Sequence, residues 1–383
     1  MNQTSYIEIS KSAYKHNINY LRGLIGKNVR ITSVVKGNAY GHGVENIVPL
    51  AEKSKINHFA VFSASEALDV HRVASSKSDI MVMGYLNDDQ MAWAIEHGIE
   101  FYVFDIDRLN KAVEIAKRIK KPARIHIEAE TGFNRTGFEF DKLPAVVDII
   151  KSNHSHLILE GLCTHYAGAE TITNHFRVIN QIEAFNKFAK YLKVHGLSPK
   201  YMHTAGSAAS LTYPQTIMDM VRMGIAQYGF WPSQETFIHQ YKTNMAKDSD
   251  LKRVISWKSR VMTVKDVSPG DFVGYGTSFL ANKKLKVAIV PVGYSNGYSR
   301  SLSNMGRVLI QGKRVPVIGS VTMNTMSVNV TDIPNVNRND EVVLIGRQKR
   351  ESITVASFCE MSNMLNYQIL ARLPGNIPRV IVD

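Results

Sequence analysis

Between residues 31 and 222 short apolar runs alternate with stretches of helical period. The runs at 31–35, 58–62, 79–83, 100–104, 124–128, 158–163, 200–203 and 218–222 have the length of strands buried on both faces. Helices are predicted between and after them at 44–54, 64–75, 87–97, 106–119, 142–152, 173–195 and 207–211. A short strand at 6–9 and a helix over 11–25, apolar at Tyr14, Ile18, Leu21 and Leu24, precede the pattern. Eight strands alternating with helices predict a parallel α/β fold, and the count is that of a (β/α)8 TIM barrel. A doubly wound sheet is the alternative, and the missing Gly-x-Gly-x-x-Gly turn after the first run weakens it.

Beyond the polar segment Gln234 to Asp250 the helical period fades. Runs at 254–264, 285–292, 307–310, 315–318, 326–330 and 341–345 alternate with turn signals such as Ser-Pro-Gly at 268–270. The expected organisation is therefore a barrel over 1–240 and a mainly-β C-terminal domain over 241–383. One late helix is expected at about 354–364.

Composition narrows the function classes. The 383 residues are 44% hydrophobic, enough for substantial cores. The net charge of +13 is spread in short groups such as Lys117 to Lys121, with no basic helix, RNA-binding strand or zinc pattern beside it, so no nucleic-acid partner is expected. No metal site is expected either. Two cysteines, Cys163 and Cys359, make no disulfide framework. No run reaches transmembrane length and the N-terminus lacks a signal-peptide pattern, so no membrane partner and a cytoplasmic location are expected.

Candidate chemistry begins where the first barrel run ends. Lys36 is followed by three glycines within seven residues, Gly37, Gly41 and Gly43, which places an amine at a strand end where backbone can approach a ligand. An isolated lysine there is ordinarily a solvated surface group. The full string Lys36-x-Asn38-Ala39-Tyr40-Gly41-His42-Gly43 is different: it resembles the cofactor-lysine motif of alanine racemases, the barrel-type enzymes that use pyridoxal 5'-phosphate (PLP). Further segments resemble that family in order: Glu130 to Phe138, Thr164-His165-Tyr166, His203 to Ser207, Val221 to Gly229, Gly274-Tyr275-Gly276-Thr277, and the loops Gly293 to Arg300 and Gly319 to Asn324 with the terminal Asn366-Tyr367.

The resemblance implies a role for each residue. Lys36 would hold PLP and then move the α-proton on one face of the substrate, with Tyr275 as the second base, reaching the partner subunit's site in a head-to-tail homodimer. His165 would lie against the pyridine ring. Ser207, at a predicted helix start, and the backbone of Gly224 and Ile225 would hold the phosphate. Arg222 would face the pyridine nitrogen; an always-charged guanidinium disfavours a proton there, which suits proton transfer more than decarboxylation. Arg135 would contact the substrate carboxylate, with the backbone N–H of Met323. Tyr294 would line the entrance, and Tyr40 and Tyr367 would lie near the phosphate.

Four positions depart from the family pattern. Many members carry, two residues before the acidic Glu130, a lysine that reacts with carbon dioxide; this chain has Glu128 there, expected to supply a permanent anion to Arg135, directly or through water or chloride. Asn296 and Asn324 stand where aspartate is usual, and Gly206 where asparagine is usual. The expected function is PLP-dependent racemisation of alanine, supplying D-alanine for peptidoglycan. A racemase of another small amino acid such as serine, a decarboxylase of the same type, and a non-catalytic PLP-binding protein are the alternatives.

Overall fold

The structure, a computed structural model, describes residues 4–244, 251–357 and 366–383. The chain forms two compact units. One comprises residues 13–36 and 47–252, the other the chain up to Ser12 together with 37–46 and 253–383. Strand β1 (Ser5–Ser10) belongs to the second unit. The first unit holds β2 (Arg30–Val34), β3 (His58–Val61), β4 (Asp79–Val82), β5 (Glu100–Val103), β6 (Ala123–Glu128), β7 (Leu157–Cys163), β8 (Tyr201–His203) and β9 (Met220–Met223).

These eight strands pair in parallel in the order β8-β7-β6-β5-β4-β3-β2-β9. A bridge between Gly206 and Arg222 brings the end of β8 to β9, so the sheet curls into a nearly closed barrel. The helices fall within two residues of their expected bounds, several of them closed by their own start signals. Ala64–Val73 and Asp88–Glu96 begin with capping boxes, Ser63 with Glu66 and Asn87 with Gln90, which satisfy the first free N–H groups. Parallel sheets bury both faces, and β3 and β5 are buried at every residue. The barrel interior is nevertheless not wholly apolar. Thr32, His58, Glu100, His126, His203 and Arg222, all strand residues, are 6% exposed or less.

The second unit is mainly β. Its strands β10 (Ile255–Arg260), β11 (Thr263–Val267), β12 (Leu285–Val290), β13 (Arg307–Ile310), β14 (Lys313–Ile318), β15 (Met326–Asn329), β16 (Glu341–Gln348), β17 (Glu351–Ile353) and β18 (Arg379–Val382) join β1. The order is β11-β12-β15-β14-β13-β16-β10-β1-β18, with β17 on β16. The single run expected over 254–264 is two strands, because Val261 N–H donates to Asp340 O while Met262 N–H turns to Ile289 O. Changing partners ends one strand and starts the next.

A contiguous cut at 240/241 is corrected in two places. β1 pairs with β10 and β18, burying Ile7 and Ile9, although it precedes the barrel in sequence. Residues 37–46, which follow the first barrel strand, also group with the β unit. A period-two pattern says that a strand is half buried, and not which sheet receives it. The late helix expected over 354–364 lies largely outside the described residues, as does Cys359. Among the described residues no helix is long and apolar enough to cross a membrane.

Candidate active site

Within the barrel unit the expected site residues gather at the C-terminal ends of the strands, where barrel enzymes place their chemistry. Lys36 follows β2. Its side chain reaches solvent, but the surrounding walls strip enough hydration from the ammonium to lower its pKa, and Arg135 and Arg222 lower it further; Glu66 acts in the opposite sense. Glu66 is held by its own cap, its Oε2 accepting from Phe62 N–H at 2.8 Å. Sequence reasoning missed its role, although the Ser63-x-x-Glu66 capping box after the third barrel run was a visible signal. Replacing Glu66 with Gln removes the one influence that favours the ammonium. The Lys36 amine is then neutral at lower pH, and the pH profile of its reaction with an aldehyde in the cofactor-free protein is expected to move to the acid side.

The next residues turn the wrong way. Gly37, Asn38, Ala39, Tyr40 and Gly41 all have positive φ, and Gly41 N–H donates to Gly37 O at 2.9 Å, closing one left-handed turn. Three of these residues carry side chains, each costing roughly 1–2 kcal/mol in that conformation. Asn38 offsets part of this by accepting Val44 N–H on its Oδ1 at 2.9 Å. Gly41 is required for space as well: a Cβ there would meet Leu370 O at 2.1 Å. The close approach expected at these glycines is thus to backbone. The turn presents Tyr40 6.0 Å from Tyr367, ring centre to ring centre.

Arg135 and His165 stand near Lys36. The Arg135 guanidinium lies over the Phe133 ring at 4.2 Å, and Phe133 is 5.7 Å from the His165 ring. Crowding strips the imidazole of hydration, and Arg222, Arg135 and Lys36 add their charges, so its pKa falls to about 3. His165 is a neutral ring at any working pH.

Ser207 opens the six-residue helix Ser207–Thr212. Its Oγ accepts from Gly224 N–H at 2.9 Å and from Ala226 N–H at 3.4 Å, so a hydroxyl and two amides converge on one point. Ala226 is an addition to the expected set, set by the 3-10 turn Ile225–Tyr228.

Arg222 is the most constrained side chain of the site. NH1 donates to His203 Nδ1 and His203 O, each at 2.7 Å, while NH2 donates to Thr164 O at 2.7 Å and Thr204 O at 3.1 Å. A guanidinium has five N–H groups, four of them on the terminal nitrogens. All four are committed, and the Nε–H is left for a ligand.

The remaining expected residues lie in the β unit, and backbone hydrogen bonds gather their loops. Tyr294 N–H donates to Thr322 O and Ser295 N–H to Met323 O, both at 3.0 Å, while Ser320 Oγ donates to Tyr275 O at 3.4 Å. Tyr275 is 77%, Met323 55% and Tyr294 44% exposed.

The chain as a whole is similar to known proteins. The alanine racemase N-terminal domain family matches residues 9–232, and the alanine racemase C-terminal domain family matches residues 254–381. The chain belongs to the alanine racemase family. An alanine racemase of Leptospira interrogans is 32% identical over 380 residues, 99% of this chain and 96% of that protein. A solved alanine racemase from Clostridium difficile 630 superposes with a TM-score of 0.92 at 26% identity, covering 100% of this chain and 96% of the other. One from Bartonella henselae, with covalently bound pyridoxal phosphate, has a TM-score of 0.83 at 23% identity, covering 99% of this chain and all of the other; that likeness bears on the fold alone. The protein is an amino-acid racemase by family.

Its departures from the family pattern have structural consequences. Among the described residues no ion pair joins Glu128 to Arg135, whose orientation comes from Phe133. Burial raises the Glu128 pKa against the pull of Thr136, Arg135 and Arg222, and its Oε2 has no hydrogen-bond partner. Glu128 is therefore an anion only above a raised pKa, and is lost as an anion at higher pH than an ordinary carboxylate. Asn296 and Asn324 are used inside their loops: Asn296 Oδ1 accepts Gly293 N–H at 3.1 Å, and Asn324 Oδ1 accepts Ser295 O–H at 2.7 Å. An amide oxygen makes the bonds that a carboxylate oxygen would make there. A Cβ at Gly206 would sit 3.6 Å from His165 Cε1, ordinary contact, so a side chain could stand there without a clash.

Proposed function

We propose that this protein interconverts L- and D-alanine with PLP. The observation that carries the reading is the donor pattern of Arg222, whose only remaining N–H suits a ring-nitrogen acceptor, in the same strand-end cluster as a lysine of lowered pKa. The residues fit the cofactor: an amine for its aldehyde, Ser207 with the Gly224, Ile225 and Ala226 backbone for its phosphate, and a donor for its nitrogen.

When bound, PLP supplies an electron-withdrawing ring that acidifies the α-hydrogen of an attached amino acid. Lys36 binds the cofactor and, once released, takes or returns the α-proton on one face. Tyr275 does so on the other, extended from a partner subunit in a homodimer; its exposure in the single chain suits that role. Arg135 would hold the substrate carboxylate, together with the backbone N–H of the partner subunit's Met323. His165 packs on the ring as a neutral group. Arg222 would offer its Nε–H to the ring nitrogen, and an always-charged donor at that position would disfavour a proton on the nitrogen itself. Tyr40 and Tyr367 border the phosphate, and Tyr294 the entrance. The product would serve peptidoglycan synthesis in the cytoplasm.

The departures from the family pattern at Gly206, Asn296 and Asn324 support one second reading, a racemase of another small amino acid such as serine. One extra group in such a pocket changes specificity by roughly 1–3 kcal/mol. The test is α-proton exchange in heavy water with chiral analysis of the product, comparing alanine, serine and larger amino acids. Alanine is expected to exchange and racemise fastest. A faster serine moves the substrate, and exchange with none of them removes the racemase reading.

Glu128 leads to a separate expectation. With a carboxylate in place of the carbamate-forming lysine, activity is expected to be the same in bicarbonate-stripped and bicarbonate-supplemented buffer. Loss on stripping and recovery on addition would show that another lysine takes that role.

A further inference from the structure

The polar residues inside the barrel form one chain of hydrogen bonds, and its direction is forced. It starts at Arg222, whose NH1 meets His203 Nδ1 at 2.7 Å. It continues from His203 Nε2 to His126 Nδ1 at 2.9 Å, and from His126 Nε2 to Glu100 Oε2 at 2.8 Å. Glu100 Oε2 also meets His58 Nε2 at 2.9 Å, and His58 Nδ1 meets Thr32 Oγ1 at 2.7 Å. None of these residues is more than 6% exposed.

Proton placement follows from the two ends. A guanidinium can only donate, so His203 Nδ1 must accept and the ring must carry its proton on Nε2. That proton is donated to His126 Nδ1, which therefore accepts. His126 in turn carries its proton on Nε2 and donates it to Glu100. A protonated His203 would set an N–H against the Arg222 N–H at 2.7 Å, which is repulsive. Two like imidazole tautomers thus lie in series between a fixed cation and a fixed anion.

The anion is secured from the far side. Glu100 Oε1 accepts from Arg124 NH2 at 2.6 Å, and Arg124 also binds Asp79 at 2.8 Å and Glu160 at 2.6 Å. Arg30 adds a second bond to Asp79 at 2.6 Å, and Lys200 a contact to Glu160 at 3.3 Å. Besides these groups the chain is faced by the phenol of Tyr102, 6.0 Å from the His126 ring and 6.1 Å from the His203 ring, and by Cys163 bonded to Tyr102. Burying so many charges is costly, and a well-packed apolar interior would serve stability at least as well. The expense suggests a task beyond folding.

We infer that Glu100 and His126 are positioning residues: through His203 they hold Arg222 in a single donor arrangement, with NH1 locked and Nε–H turned toward the ligand's ring nitrogen. The inference rests on the reading of Arg222 as that nitrogen's partner. Reversing the chain at any link would turn His203 Nδ1 into a donor and push NH1 off it, which rotates the guanidinium and moves the Nε–H. Arg222 touches the ligand; Glu100 and His126 act only through it.

The Glu100→Gln variant tests this. If the amide oxygen faces His126, its NH2 opposes the Arg124 donor; if the NH2 faces His126, the series reverses and opposes Arg222. Either way one end fails. The first measurement is nitrogen-15 NMR of histidine-labelled protein, with and without PLP, assigned with single-histidine variants. His126 and His203 are expected to be protonated on Nε2 and bare on Nδ1 near neutral pH, and a proton on His203 Nδ1 in the unaltered protein overturns the inference. The second measurement uses the PLP-loaded variant. Its absorption spectrum and the pH profile of kcat are expected to shift, and kcat to fall roughly tenfold to a hundredfold with a smaller change in KM, the size expected of misplacement at a remote position.

His126 supplies a second pair in case Glu100→Gln does not fold. His126→Gln offers an acceptor toward His203 and a donor toward Glu100, so it is expected to recover much of the kcat and the spectrum lost in His126→Leu. Equal behaviour of those two variants, or a folded Glu100→Gln with unshifted spectrum, pH profile and kcat, overturns the inference. Failure of the unaltered protein to bond PLP at Lys36 would strike the PLP reading instead, and the NMR result on the cofactor-free chain would still decide the tautomers.

Discussion

Lys36→Ala is expected to abolish racemisation in both directions, by about a thousandfold or more, because the residue is asked to do two things at once. It carries the cofactor and it moves a proton. Its surroundings suit both. Lost hydration and the charges of Arg135 and Arg222 bring the ammonium below its ordinary 10.5, so the neutral amine is reached at lower pH than for a solvated lysine. Absorbance and borohydride trapping separate the two tasks: the variant should bind PLP without the covalent signal. A small added amine, which can both condense with the PLP aldehyde and accept a proton, is expected to restore part of the lost activity. A variant that still racemises alanine at an appreciable fraction of the normal rate would end the assignment.

Tyr275→Phe removes one hydroxyl and nothing else of the loop. The phenol is 77% exposed, and its neighbours Gly274 and Gly276 both adopt positive φ, so folding should be unaffected. The expected outcome is one-sided. Racemisation falls by roughly 10²- to 10⁴-fold, the ordinary worth of a positioned acid or base. Exchange of the α-hydrogen with heavy water persists for the one enantiomer whose proton faces Lys36. If both enantiomers lose exchange equally, the two bases do not work on opposite faces. Mixing Tyr275→Phe with Lys36→Ala adds an assembly test: in a dimer with shared sites, hybrids place both lesions at one site and leave the other intact, so activity returns on mixing.

Much of the fold was open to reading in the chain alone. All eight barrel strands and eight helices were located from apolar runs and helical period, because each depends on neighbours in sequence: burial on both faces makes a strand mostly apolar, and a residue such as Ser63 or Asn87 closes its own helix start. The site was legible only where glycines, a lysine and an arginine formed strings. Lys36, Ser207, Arg222 and Gly224 came from such strings, while Glu66, Ala226 and His126 did not. A glutamate three residues after a serine looks like a cap and nothing more, and no spacing marks a histidine in the middle of a strand as part of a chain.

The amino-acid sequence by itself thus determined the element order, the two kinds of architecture and the chemical types at the strand ends, since these follow from periodicity and local bonding. The tertiary structure decided which sheet received the first strand, the left-handed turn after Lys36, the lack of a direct pair between Glu128 and Arg135, and the direction of the hydrogen bonds running from Arg222 to Glu100. Most of those features rest on groups distant in the chain, as with Ile7 on Trp257, Arg222 on His203 and Glu100 on His126 or His58. Direction in such a chain is set by which end can only donate and which can only accept, and that is known only when the ends are seen to meet.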